Sequence, residues 1–185
     1  MRIPIAPARG VPGIQRRSAG FTLIEMVITI VLMGIMAVVG SSVIADTFTT
    51  THIINRNSAV SSEARYAMER IAREIREIQY TGSAYVTSSM TATNFVFTRS
   101  DGVIVTINNT SADLTIAYTT GGTTVGPATL SNKVDISGFT LTYLDVSDGA
   151  ATASTLRFVQ ISLNLKDTTT GFTTTLRSRV AVRNA

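Results

Sequence analysis

The chain has 185 residues, with 16 Lys and Arg against 12 Asp and Glu, a formal net charge of +4, one His and no Cys. The absence of cysteine removes disulfides, thiolate metal sites and cysteine nucleophiles together, and the length leaves room for one domain with appendages. All of the net charge lies in the first twenty residues, which hold Arg2, Arg9, Arg16 and Arg17 and no acid. The remaining side chains balance, so the high pI is no argument for nucleic acid.

In chain order, residues 1–20 come first. Pro4, Pro7, Gly10, Pro12 and Gly13 oppose helix, and the stretch reads as a basic targeting leader rather than part of the fold. An apolar segment follows, Phe21–Ile24 and then Met26–Ala45, interrupted by Glu25. About 20 apolar residues in a helix cover the ~30 Å hydrocarbon core of a bilayer, so residues 21–45 are predicted to be a membrane segment. Positive charge before such a segment holds that end in the cytoplasm, which predicts export of everything beyond it.

Glu25 is the informative residue. A carboxylate in a spanning helix costs a few kcal/mol and marks a function by default. The segment contains no other ionisable side chain to pair with it. Three readings of the N-terminus compete. One is a secretory signal cleaved after Val43-Ile44-Ala45. Another is a twin-arginine signal built on Arg16-Arg17. The third is cleavage between Gly20 and Phe21, and only this one accounts for Glu25. It frees an α-amine at Phe21, a cation able to meet the Glu25 carboxylate of a neighbouring copy.

The stretch Arg16-Arg17-Ser18-Ala19-Gly20-Phe21-Thr22-Leu23-Ile24-Glu25-Met26 resembles the cleavage and methylation motif of type IV pilins and type II secretion pseudopilins. The resemblance is specific and covers about residues 14–45. It implies cleavage between Gly20 and Phe21 by a prepilin peptidase, N-methylation of Phe21, and a role for Glu25 in filament assembly. It also implies partners: other pilin or pseudopilin subunits, an inner-membrane assembly platform and the peptidase. The implied location is the bacterial inner membrane, single-pass, with the head in the periplasm and then in a filament. Ser42 stands where many family members carry proline. Gly34 and Gly40-Ser41-Ser42 are small enough to let helices approach closely in a bilayer.

Beyond the threonine-rich stretch 46–51, Ala64, Ala67, Met68, Ile71, Ile75 and Ile78 recur at steps of three or four, one face of a helix. The other face carries Glu63, Arg65, Glu69, Arg70, Arg73, Glu74, Arg76 and Glu77, with Glu69–Arg73, Arg70–Glu74 and Arg73–Glu77 spaced to pair. Residues 46–80 therefore read as an amphipathic continuation, and Phe21 to about Tyr80 as one helix on the order of 90 Å long. His52, the lone histidine, suggests neither metal nor base.

Residues 81–185 read as a β-rich head. Asn94–Thr98 and Gly102–Ile107 flank a hairpin turn, Asp113–Tyr118 is a third strand, and Thr119–Ala128 reads as a loop around Gly121-Gly122 and Gly126-Pro127. Val134–Leu144, Leu156–Leu165 and Phe172–Val182 alternate as strands. The predicted class is α+β, a pilin-like long N-terminal helix packed against an antiparallel meander.

The strands Val134–Asp145 and Arg157–Leu165 and the ending Thr175–Asn184 resemble heads of minor pilins and J-type pseudopilins. The stretches Phe21–Ile30 and Ala67–Arg70 are similar to a minor subunit of the mannose-sensitive haemagglutinin pilus system.

No Ser/His/Asp set and no Walker or dinucleotide loop occurs, so no enzyme, cofactor or nucleic-acid partner is expected. Asp145-Val146-Ser147-Asp148-Gly149 misses the EF-hand spacing and reads as a turn. Two function classes remain: a minor pilin or pseudopilin that primes, caps or joins a filament, and an exported adhesin or binding module on a membrane stalk.

Overall fold

The apolar segment and the amphipathic stretch form one element in the computed structural model, which describes residues 20–183: helix α1, Leu23–Arg76. Eight strands follow: β1 Thr87–Met90, β2 Asn94–Thr98, β3 Ile104–Thr110, β4 Asp113–Thr120, β5 Thr123–Ser131, β6 Val134–Leu144, β7 Phe158–Lys166 and β8 Thr173–Ala181. The α+β class is as expected. The chain divides into two compact units, Met1–Phe48 and Thr49–Ala185. Arg16 and Arg17 lie outside the described residues.

In the first unit, the large apolar side chains from Phe21 to Phe48 are all exposed. The polar residues of this segment turn inward on their own helix. Thr29 Oγ1 donates to the Met26 carbonyl at 2.9 Å, Ser41 and Ser42 Oγ to those of Val38 and Val39 at 2.9 Å, and Thr47 Oγ1 to that of Val43 at 2.8 Å. Each of these hydroxyls finds an acceptor in its own helix.

The second unit has its own core. Val60, Ala64, Ala67, Met68, Ile71, Ala72 and Ile75 form the buried stripe of the helix. They belong to one cluster with Phe95, Phe97, Val105 and Ile107 from β2 and β3, and with Val159, Ile161, Leu163 and Leu165 from β7. Each large apolar side chain removed from water contributes roughly 1.5–3 kcal/mol. Phe95 packs against Phe97 and edge-on against Tyr143, at ring separations of 4.7 and 5.0 Å.

The strands make two antiparallel sheets, β1-β2-β3-β4-β5 and β6-β7-β8, rather than one meander. The break falls between Ser131, the end of β5, and Val134, the start of β6, and just beyond it four residues of β6 bulge between the pairs Val134↔Leu165 and Phe139↔Leu163. Gly138 sits inside that bulge, where a Cβ would come within 2.6 Å of the Asn164 carbonyl oxygen.

Three local expectations change. Helix α1 ends at Arg76, not near Tyr80. The Glu77 and Ile78 amides tighten onto the carbonyls of Glu74 and Ile75, and the Gln79 amide turns away to the Thr98 carbonyl at 2.9 Å. The predicted loop Thr119–Ala128 is the end of β4, a tight turn and most of β5. Gly121 and Gly122, at φ 58° and 84°, supply the two positive φ values a short hairpin turn needs.

Glu74, expected on the exposed face, is 3 % exposed. Its Oε1 accepts from the Tyr118 hydroxyl at 3.0 Å and lies 3.3 Å from Arg70 Nη2, while its Oε2 accepts from Arg99 Nη1 at 3.1 Å. Arg70 also donates to the Tyr118 hydroxyl at 2.7 Å. A buried carboxylate with this many donors ties α1 to β4 and to the residue after β2. Arg73 pairs with Glu69 at 3.6 Å, as the spacing predicts.

Candidate functional site

The site singled out by the sequence is the start of α1. Gly20 and Phe21 precede the first helical residue, and both are exposed, so the peptide bond between them is uncovered by the described residues. The first helical turn begins with the Met26 amide donating to the Thr22 carbonyl at 3.2 Å. Four backbone N–H groups at any helix start lack partners in their own helix.

Here the side chains of Thr22 and Glu25 supply acceptors for two amides. The Glu25 amide donates to Thr22 Oγ1 at 3.3 Å, and the Thr22 amide donates to Glu25 Oε2 at 3.4 Å. The Thr22 hydroxyl also reaches Glu25 Oε2 at 3.4 Å. This is a reciprocal capping box.

The signal for it lies in Thr22-Leu23-Ile24-Glu25, a threonine followed three places on by glutamate. Glu25 therefore has a local task at the helix start. A carboxylate in the first turn is also favoured by the helix dipole. The capping distances are long for hydrogen bonds, and they engage only Oε2. Among the described residues nothing engages the other carboxylate oxygen. Chemically, the arrangement offers an anionic acceptor for a cation. It offers no acid–base pair and no nucleophile.

The residues considered for other chemistry sit elsewhere. His52 is an exposed residue of α1. Asp145 Oδ1 accepts from the amides of Ser147 and Gly149 at 2.7 and 2.9 Å, which closes the turn after β6. Asp148 pairs with Arg179, which lies over the Phe158 ring. Both carboxylates of the turn thus have partners within the head. Among the described residues, no group of three or more His, Asp or Glu is placed to hold a metal ion.

Helix α1 is long and apolar enough near the N-terminus to cross a membrane, by length and composition. Neither the curated proteins nor the solved structures compared with this chain gave a match. The family described as the prokaryotic N-terminal methylation motif matches residues 15–41, a span that holds Arg16, Arg17, Gly20, Phe21 and Glu25, and this supports a type IV pilin-like protein in the broad sense.

Proposed function

We propose that this protein is a minor pilin or pseudopilin, a structural subunit that primes, caps or joins a type IV pilus-like filament after its leader is removed. The observation that carries the reading is Glu25, an acid in the first turn of an apolar helix whose side chains find no cover in their own unit. In this reading a prepilin peptidase cuts between Gly20 and Phe21, and the new Phe21 amine is methylated. The helix anchors the chain in the inner membrane with the head outside the cytoplasm. On assembly, Glu25 of one subunit meets the Phe21 amine of another. In a low-dielectric setting such an ion pair is costly to leave unmade, so it selects the axial register between subunits.

The capping box allows the charge to be separated from the helix start. Glutamine also closes a capping box, so Glu25→Gln keeps the cap and removes the charge, while Thr22→Ala weakens the cap and keeps the charge. Incorporation into filaments is expected to fail for Glu25→Gln and to persist for Thr22→Ala, with membrane insertion intact in both. The reverse pattern would reduce Glu25 to a helix cap. The mass of the mature N-terminal peptide tests processing directly: a chain starting at methylated Phe21 is expected. A chain starting at Asp46 would mean ordinary signal cleavage and an exported binding module.

A further inference from the structure

The two sheets have four edge strands, β1, β5, β6 and β8. Exposed edges invite pairing with other chains, and proteins blunt them with proline, bulges, short strands or covering loops. Three of the four are blunted here. β1 has four residues and a bulge against β2. β5 carries Pro127 and two register breaks against β4. β6 is covered by turns, because its Leu141 amide donates to the Ala92 carbonyl at 2.8 Å and its Tyr143 carbonyl accepts from the Ala151 amide at 3.0 Å.

β8 differs. It pairs with β7 through nine successive residues without a shift, and it contains no proline. The register also identifies which backbone groups are free. Val182 donates to the Arg157 carbonyl, and Asp167 to that of Phe172. The same alternation directs the amides of Leu176, Ser178 and Val180 to β7 and those of Thr175, Arg177 and Arg179 to the open edge.

A second observation describes what fits there. A cleft of about 320 Å³ lies between α1 and β8. Met68, Ala72 and Leu176 supply apolar surface, and Arg65, Arg76 and Arg177 are exposed on its rim. The one carboxylate of the lining, Glu69, is paired with Arg73. The cleft is therefore cationic with an apolar floor, and it runs beside a strand whose outer edge has no partner among the described residues.

We propose that the β8 edge takes up an extended segment of another polypeptide, one that alternates apolar and acidic residues, as a fourth strand of the β6-β7-β8 sheet. Backbone pairing to Thr175, Arg177 and Arg179 supplies affinity, and a carboxylate opposite Arg177 supplies selection, Arg179 being paired with Asp148 already. A symmetric pairing with β8 of a second copy is disfavoured because it brings two arginine-bearing strands together. A nucleic acid would meet the arginines but offers no strand of amides and carbonyls and no side chains for the apolar floor. This inference concerns the head alone and stands independently of how the N-terminus is processed.

The test uses the purified full chain in detergent and a labelled synthetic peptide alternating valine and glutamate over about nine residues. The same peptide with lysine for glutamate and a single-stranded oligonucleotide serve as competitors. The glutamate peptide is expected to bind about tenfold more tightly than the lysine peptide, the difference expected between an attractive and a repulsive charge pair opposite Arg177. It is also expected to slow hydrogen exchange at the amides of Thr175, Arg177 and Arg179. Thr175→Pro, whose amide faces the open edge, is expected to abolish binding while the β7–β8 ladder stays intact. Arg177→Glu, which needs no backbone change, is expected to reverse the preference between the two peptides. Equal binding of both peptides would overturn the proposal. So would oligonucleotide binding that outcompetes the glutamate peptide, self-association through β8, or binding without protection of those three amides.

Discussion

The segment Gly20–Phe48 and the head from Thr49 onward use apolar residues in opposite ways. In the segment, Leu23, Ile24, Met26, Val27, Ile28 and their successors remain exposed, and the polar side chains bond to their own helix. In the head, the apolar side chains of α1 and both sheets bury one another, and its most buried acid, Glu74, is met by two arginines and a tyrosine. A surface as apolar as that of the segment needs a covering that the unit itself does not provide. The head needs none for its stability. The stability of the head should therefore be insensitive to the segment, whereas anchoring and assembly should depend on it.

The largest expected contrast comes from one truncation in each region. Phe95→Ala empties a fully buried site beside Phe97 and Tyr143 and should destabilise the head by about 3–5 kcal/mol. Leu32→Ala, in the exposed segment, should leave the denaturant midpoint of the head unchanged. A comparable loss from both would mean that the two regions do not melt separately.

A smaller effect sharpens the picture of the head. Glu74→Ala removes the acceptor shared by Tyr118, Arg70 and Arg99 and leaves those donors without it. Because both arginines keep some access to water, the expected loss is about 2–3 kcal/mol rather than the upper range for a broken buried pair. Glu69→Ala, on the exposed Glu69–Arg73 pair, should cost no more than about 0.5 kcal/mol. Equal losses would show that burial of the Glu74 carboxylate carries no special weight.

The smallest effect is pH-dependent. Hydrogen bonds from the backbone amides of Thr170 and Thr169 hold the Asp167 carboxyl below its ordinary value of 3.8. A carboxyl depressed in the folded state stabilises the fold above its unfolded pKa, and that contribution fades as pH falls through the folded value. The thermal midpoint of the wild type should therefore exceed that of Asp167→Asn at neutral pH, and the two should converge below pH 3.8. A gap that is constant with pH would assign the effect to geometry instead of charge.

Much of this was legible in the residues themselves, because it depends on neighbours in the chain. The apolar run with its single acid, the face through Ala64, Ala67, Met68, Ile71 and Ile75, and the alternation in β6, β7 and β8 are signals of period 3.6 or 2. The Thr22–Glu25 cap was equally local and only needed to be read as a cap. What escaped depends on partners distant in sequence. Glu74 borders the apolar stripe through Ile71, Ile75 and Ile78, and only the arrival of Arg99 and Tyr118 gives its buried carboxylate partners. β5 is an edge strand exposed over most of its length, so it lacks the apolar alternation that announces a strand. The division into two sheets, and the fact that among the described strands β8 alone keeps a regular open edge, arise from which strand ends up beside which. Sequence alone thus determined the anchor-like helix start and the periodic elements, because backbone and side-chain spacing decide those locally. Tertiary structure decided the polar network and the open edge, because both require groups that the chain brings together only when it folds.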